Sequence, residues 1–115
     1  MSVTIYHNPR CSKSRQTLSL LQERNIEPEI IDYLAAPPSG EALKKILGLL
    51  GLSARELMRK KEAAYAENNL ADDALGEDVL IAAMIKNPIL IERPIVLANG
   101  KAALGRPPEN VLEIL

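Results

Sequence analysis

The chain contains one cysteine, Cys11, and its neighbours decide what that thiol can do. It lies within His7-Asn8-Pro9-Arg10-Cys11-Ser12-Lys13-Ser14-Arg15, a stretch with no apolar side chain beyond proline. Free cysteine is among the residues most often buried as a small hydrophobe. A polar, cationic neighbourhood points instead to an accessible thiol, and the thiolate is the form that attacks. A helix beginning at Ser12 would turn its unpaired N–H groups and its positive dipole end toward the sulfur, with Arg10, Lys13 and Arg15 adding positive charge. The N–H groups of Ser12, Lys13 and Ser14 would also seat a tetrahedral anion. A dithiol of the Cys-x-x-Cys type needs its second sulfur at position 14, where Ser14 stands. Any redox cycle at Cys11 must therefore take its second thiol from another molecule.

The elements around this segment follow from apolar periodicity. Val3-Thr4-Ile5-Tyr6 reads as a strand by its β-branched and aromatic content, broken by His7-Asn8-Pro9-Arg10. From Ser12 to Arg24 the spacing of Leu18 and Leu21, with Leu20 beside them, predicts a helix, which puts Cys11 at a strand-to-helix junction. Glu29-Ile30-Ile31-Asp32-Tyr33 supplies a second strand, parallel to the first across a right-handed βαβ crossover. Leu43, Ile46, Leu47 and Leu50 recur at helical spacing and stop at Gly51. Ser53 and Glu56 form a capping-box pattern for a short helix carrying Leu57, Met58 and Arg59. A further helix is expected from about Glu77 to Lys86, ending at Asn87-Pro88. Asn99-Gly100 between Ile95–Ala98 and Lys101–Leu104 is a type I′ hairpin signal. Pro107-Pro108 then opens a C-terminal helix with Val111, Leu112 and Leu115 facing inward. The order β-α-β, helical insertion, β-β-α is that of a thioredoxin-like α/β fold: a mixed four-stranded sheet flanked by helices. No repeat or linker divides residues 1–115, which read as a single domain.

Composition narrows the function. The chain has 115 residues, 47% hydrophobic and 25% charged, enough for one globular core. A net charge of -1, a pI near 5.8 and no dense Lys/Arg run give no footprint for nucleic acid or an anionic membrane. No run approaches the roughly 20 apolar residues that span a bilayer, and the opening Met1-Ser2-Val3-Thr4-Ile5 lacks a signal-peptide pattern. The expected location is the cytoplasm, where a lone thiol stays reduced. No zinc-ligand spacing, glycine-rich phosphate loop or dinucleotide fingerprint occurs, so neither a metal nor a tightly bound cofactor is expected.

Tyr6 to Arg15 resembles the active-site segment of the glutaredoxin-linked arsenate reductases, the ArsC family, and most closely its YfgD-type branch. The resemblance runs on through Tyr33-Leu34, Ala54 to Arg59, Asn69-Leu70-Ala71, Asn87-Pro88, Glu92 to Val96 and Gly105 to Pro108. It implies a thioredoxin-like fold, Cys11 as the nucleophile, and Arg59, Arg93 and Arg106 around a bound oxyanion. It also implies arsenate as substrate, glutathione as co-substrate and glutaredoxin as the partner that regenerates the thiol. The residues themselves add some support. Arg93 precedes Pro94 at the entry to a strand, where this fold commonly carries a cis proline, and Arg106 sits at a strand-to-helix junction before Pro107. Guanidinium is always charged and offers forked donors to two oxygens at once. His7 reads either as a solvated strand-end side chain or as an imidazolium favouring the thiolate, and Asn8 as a residue that shapes the loop by hydrogen bonding. Two other functions share the fold: a glutathione-dependent thiol/disulfide reductase, and an Spx-like regulator that binds RNA polymerase. Ser14 argues against the switch such regulators typically carry.

Overall fold

A computed structural model describes residues 2–115; Met1 lies outside it. The elements are β1 (Val3–His7), α1 (Ser12–Glu23), β2 (Glu29–Asp32), α2 (Gly40–Leu50), α3 (Ala54–Leu57), α4 (Ala63–Glu67), α5 (Glu77–Lys86), β3 (Ile95–Ala98) and β4 (Lys101–Leu104). Two 3-10 helices, Pro88–Leu90 and Pro108–Ile114, complete the order. The described residues form two compact units, one of residues 2–36 with Arg93–Leu115 and the other of Pro37–Glu92.

The first unit is built on a mixed sheet of order β2-β1-β3-β4. β1 and β2 pair in parallel, with Ile5 opposite Ile30 and His7 opposite Asp32, while β1 with β3 and β3 with β4 are antiparallel. The crossover through α1 requires the parallel pair, and the tight turn at Asn99 and Gly100, with φ of 55° and 71°, fixes the antiparallel one. Val3, Ile5, Val96 and Ala98 from the sheet, Leu21 from α1, and Val111 and Ile114 from the C-terminal segment form one buried cluster. Leu18 and Leu20 pack against it partly buried, so the α1 periodicity located the inward face correctly.

The C-terminal segment differs from its expected form. It is a 3-10 helix, and Val111 and Ile114, spaced by the three residues of a 3-10 turn, are the buried pair, while Leu112 and Leu115 are only partly covered.

The second unit is the expected helical insertion. α2 is capped by the Ser39 hydroxyl, which accepts from the Ala42 N–H, and ends at Gly51 with φ 70°, a conformation that costs glycine little. The capping box of Ser53 and Glu56 is present in both directions. α3 is shorter than expected, however: it ends at Leu57, and Met58 forms an antiparallel bridge with Ile91. Arg59 therefore leaves a short extended segment, not a helix, and its N–H donates to the Leu90 carbonyl at 2.8 Å. α4 was not signalled by the apolar spacing. No helix among the described residues is long and apolar enough to cross a membrane.

Leu21 is the residue through which α1 grips the sheet, and it is fully buried. Leu21→Ala should lower unfolding free energy by about 2–5 kcal/mol, the usual cost of a large-to-small change in a packed core. Urea denaturation followed by circular dichroism measures this, and a loss well under 1 kcal/mol would mean that α1 is held otherwise.

Candidate active site

β1 delivers the chain to the site and α1 carries it away. The Cys11 N–H donates to the Asn8 carbonyl at 3.0 Å, closing a turn, and Asn8 Oδ1 accepts from the Arg10 N–H at 3.0 Å. Asn8 thus shapes the loop from a buried position, as its side chain suggested. Cys11 has extended backbone angles and serves as the N-cap of α1, whose first turn holds no acidic residue to offset its positive end.

Cys11 is half-buried and is a free thiol. Burial pushes its pKa up, but the Ser14 N–H, the hydrogen bond and positive charge of the Arg93 guanidinium, and the Lys13 N–H together hold it below the ordinary thiol value. The helix N-terminus therefore acts as expected. The cation does not come from where the sequence suggested: Arg93, eighty-two positions along the chain, supplies it. Arg15 turns its guanidinium to the Pro9 carbonyl at 3.0 Å, and Arg10 is exposed.

Arg93 reaches the sulfur because the end of β3 next to it lies beside the end of β1, with Tyr6 opposite Ile95. The Arg93-Pro94 bond is cis, and so is Arg106-Pro107. Arg106 leaves β4 and its Nη1 donates to the Arg93 carbonyl at 3.1 Å, so two guanidinium-bearing loops are tied together beside the nucleophile. Arg59 belongs to the other unit. There its guanidinium faces two carboxylates, Glu62 at 3.4 Å and Glu92 at 3.7 Å, both missed in the sequence.

His7 is neither solvated nor an imidazolium. The alternation of β1 places it on the face of Val3 and Ile5, and it is buried. Burial lowers its pKa, Asp32 opposes this, and Arg15 adds to it, so the ring is neutral near pH 7. Its Nδ1 lies 2.6 Å from the Ser14 hydroxyl, which also accepts from the Asn8 N–H at 3.0 Å. Ser14, fully buried, is thus the junction that fixes the strand end to the first turn of α1. Its side-chain role had a signal in the sequence. A residue three past a helix N-cap points back over that turn, toward the strand that precedes it.

Ser12 and Lys13, directly after the nucleophile, border an open groove of ≈ 730 Å³ that continues past Gln16 and Ser19 and is closed on its other side by Pro107 and Pro108. Among the described residues, no group of three or more His, Cys, Asp and Glu is placed to hold a metal ion.

A half-buried thiolate held by helix N–H groups and a guanidinium is suited to nucleophilic attack on an electrophile that is itself an anion. Comparisons with known proteins agree on one family. The profile described as the ArsC family matches residues 6–114. YfgD from Escherichia coli K12 is 61% identical over 98% of this chain and 96% of its own. A Neisseria meningitidis protein named arsenate reductase is 54% identical over 98% and 97%. The structure of an arsenate reductase from Vibrio cholerae, 58% identical, superposes with a TM-score of 0.97 over 100% of this chain and 98% of that one, so the fold is the thioredoxin-like one. With the family profile matching residues 6–114 and relatives more than half identical over nearly the full length, the chain belongs to the ArsC family.

Proposed function

We propose that the protein reduces arsenate to arsenite through a covalent adduct on Cys11. The observation that carries this reading is the Arg106 Nη1 donating to the Arg93 carbonyl at 3.1 Å, which ties both arginines to one place, with Arg93 favouring the thiolate of Cys11. Forked donors next to a nucleophile suit a tetrahedral oxyanion, since they grip two oxygens and stabilise the charge that grows on them. Relatives named arsenate reductase supply the identity of the oxyanion.

In this mechanism the Cys11 thiolate attacks arsenic and forms a sulfur–arsenic bond, while an arsenate hydroxyl, protonated by solvent, leaves as water. Arg93 and Arg106 hold the arsenate oxygens, the N–H groups of Ser12, Lys13 and Ser14 face the same anion, and the family pattern adds Arg59. Glutathione then attacks the Cys11 sulfur. The sulfur–arsenic bond breaks, its electron pair reduces arsenic(V) to arsenic(III), and arsenite departs, leaving a Cys11–glutathione disulfide. Glutaredoxin takes the glutathione by thiol exchange and restores Cys11. The single cysteine supports this order, because no internal thiol can resolve the adduct. A reducing, glutathione-containing cytoplasm is the compartment such a cycle needs.

The defining experiment is arsenate reduction with glutathione and glutaredoxin, run beside Cys11→Ser, which should be inactive. Arg93→Ala or Arg106→Ala should cut turnover by roughly 10²–10³-fold, the usual effect of deleting a preorganised donor. Arg93→Lys keeps the charge but loses the fork and should be impaired as well. Reduction of a small mixed disulfide should suffer much less, since it offers no oxygens to grip. Equal loss of both activities in folded protein would favour a thiol/disulfide reductase instead.

The thiol itself gives a second test. Its alkylation rate should rise with pH through a midpoint below the free value of about 8.5, because only the thiolate reacts. Arg93→Ala removes a hydrogen bond and a positive charge that favour the thiolate, so the midpoint should move up. A midpoint unchanged by that substitution would separate Arg93 from the nucleophile.

A further inference from the structure

Arg93 precedes Pro94 and Arg106 follows Gly105, and these two inner neighbours touch. The Gly105 N–H donates to the Pro94 carbonyl at 3.0 Å. Thr17, six residues after Cys11 on α1, packs against the same point. It is fully buried; its hydroxyl donates to the Lys13 carbonyl at 2.8 Å and lies 3.5 Å from the Gly105 carbonyl oxygen. A Cβ added to Gly105 would overlap Thr17 Oγ1 and stand 2.7 Å from Pro94 Cγ and 3.1 Å from Thr17 Cγ2. Contacts below 3.0 Å are ones that real Cβ atoms essentially never make. Gly105 is not in the left-handed region, so the demand here is for space and not for backbone freedom.

Three segments therefore meet where only a hydrogen fits: the helix that carries the nucleophile, the loop of Arg93 and the loop of Arg106. We propose that Thr17 and Gly105 are positioning residues: the close packing of the Thr17 side chain and the Pro94 ring against the bare Cα of Gly105 sets how close both guanidinium groups come to Cys11. Packed interiors transmit such a displacement because they have little free volume to absorb it. The inference rests on reading Cys11, Arg93 and Arg106 as one anion-gripping site. It assigns a function to two residues that carry no charge and touch no substrate.

Gly105→Ala is the direct test. A folded variant should show the pH midpoint of Cys11 alkylation moved up and weaker sulfate binding by calorimetry, with arsenate turnover lowered by up to about 10²-fold, as an ångström of misplacement can do. Thr17→Ala combined with Gly105→Ala removes two of the three close atoms and should recover a good part of each loss. Thr17→Ser keeps the hydroxyl and should behave nearly as the parent. If Gly105→Ala fails to fold, Thr17→Ala alone decides, because loosening the contact should also raise the midpoint. A folded Gly105→Ala with parental midpoint and sulfate affinity would overturn the proposal, as would a double variant no better than the single, or Thr17→Ala with an unmoved midpoint. A parent protein inactive on arsenate would sink the substrate assignment while the alkylation and sulfate readouts still judge the positioning.

Discussion

The account depends on a balance at one sulfur atom. Half-burying a thiolate works against its ionisation, and Cys11 is half-buried. Two helix N–H groups and one guanidinium work for it. Each of those donors favours the charged form of the sulfur, and together they outweigh the partial loss of water. Burial and charge then cooperate in function, because a guanidinium shielded from solvent grips an anion more strongly than one in bulk water.

Almost every feature of the first unit keeps those donors in place. β1 and β3 lie side by side, so a residue near position 93 can reach one near position 11. Leu21 and the core cluster fix α1 on the sheet. Ser14, shared between His7 and Asn8, locks the first turn of α1 to the strand end and directs its own N–H at the sulfur. His7 takes part as a neutral ring. Protonating it would place a charge in a buried position beside Ser14, so its lowered pKa means that stability is full above its ordinary value near 6.5 and declines as the pH falls below that.

Local signals in the sequence carried far, and distant ones did not. The helices of 12–23, 40–50 and 77–86, the capping box at Ser53 and the Asn99-Gly100 hairpin each rest on a few adjacent residues, and each formed. The reach of Arg93 to Cys11 came from the family resemblance and the cis-proline pattern, since no local rule pairs residues eighty-two positions apart. Arg10 and Lys13 looked like the relevant cations because they are near in sequence. The burial of His7 was legible in the strand's alternation, but the polar run that follows it suggested solvent. Glu62 stands only three residues past Arg59, a local spacing that went unread, whereas Glu92 beside Arg59 and the crowded contact of Thr17 with Gly105 had no sequence signal, because they depend on chain segments that meet only after folding. The C-terminal segment kept its apolar face but changed its helical period, so its inward residues moved from the α spacing to that of a 3-10 turn.

The central claim is that Cys11, Arg93 and Arg106 form one site for a tetrahedral oxyanion. The most direct measurement is a crystal structure of the protein soaked in arsenate. The account predicts density for the anion against the Cys11 sulfur and the N–H groups of α1, with the guanidinium groups of Arg93 and Arg106 on its oxygens. Arginine side chains turned away from Cys11, with no anion bound at high arsenate concentration, would contradict it.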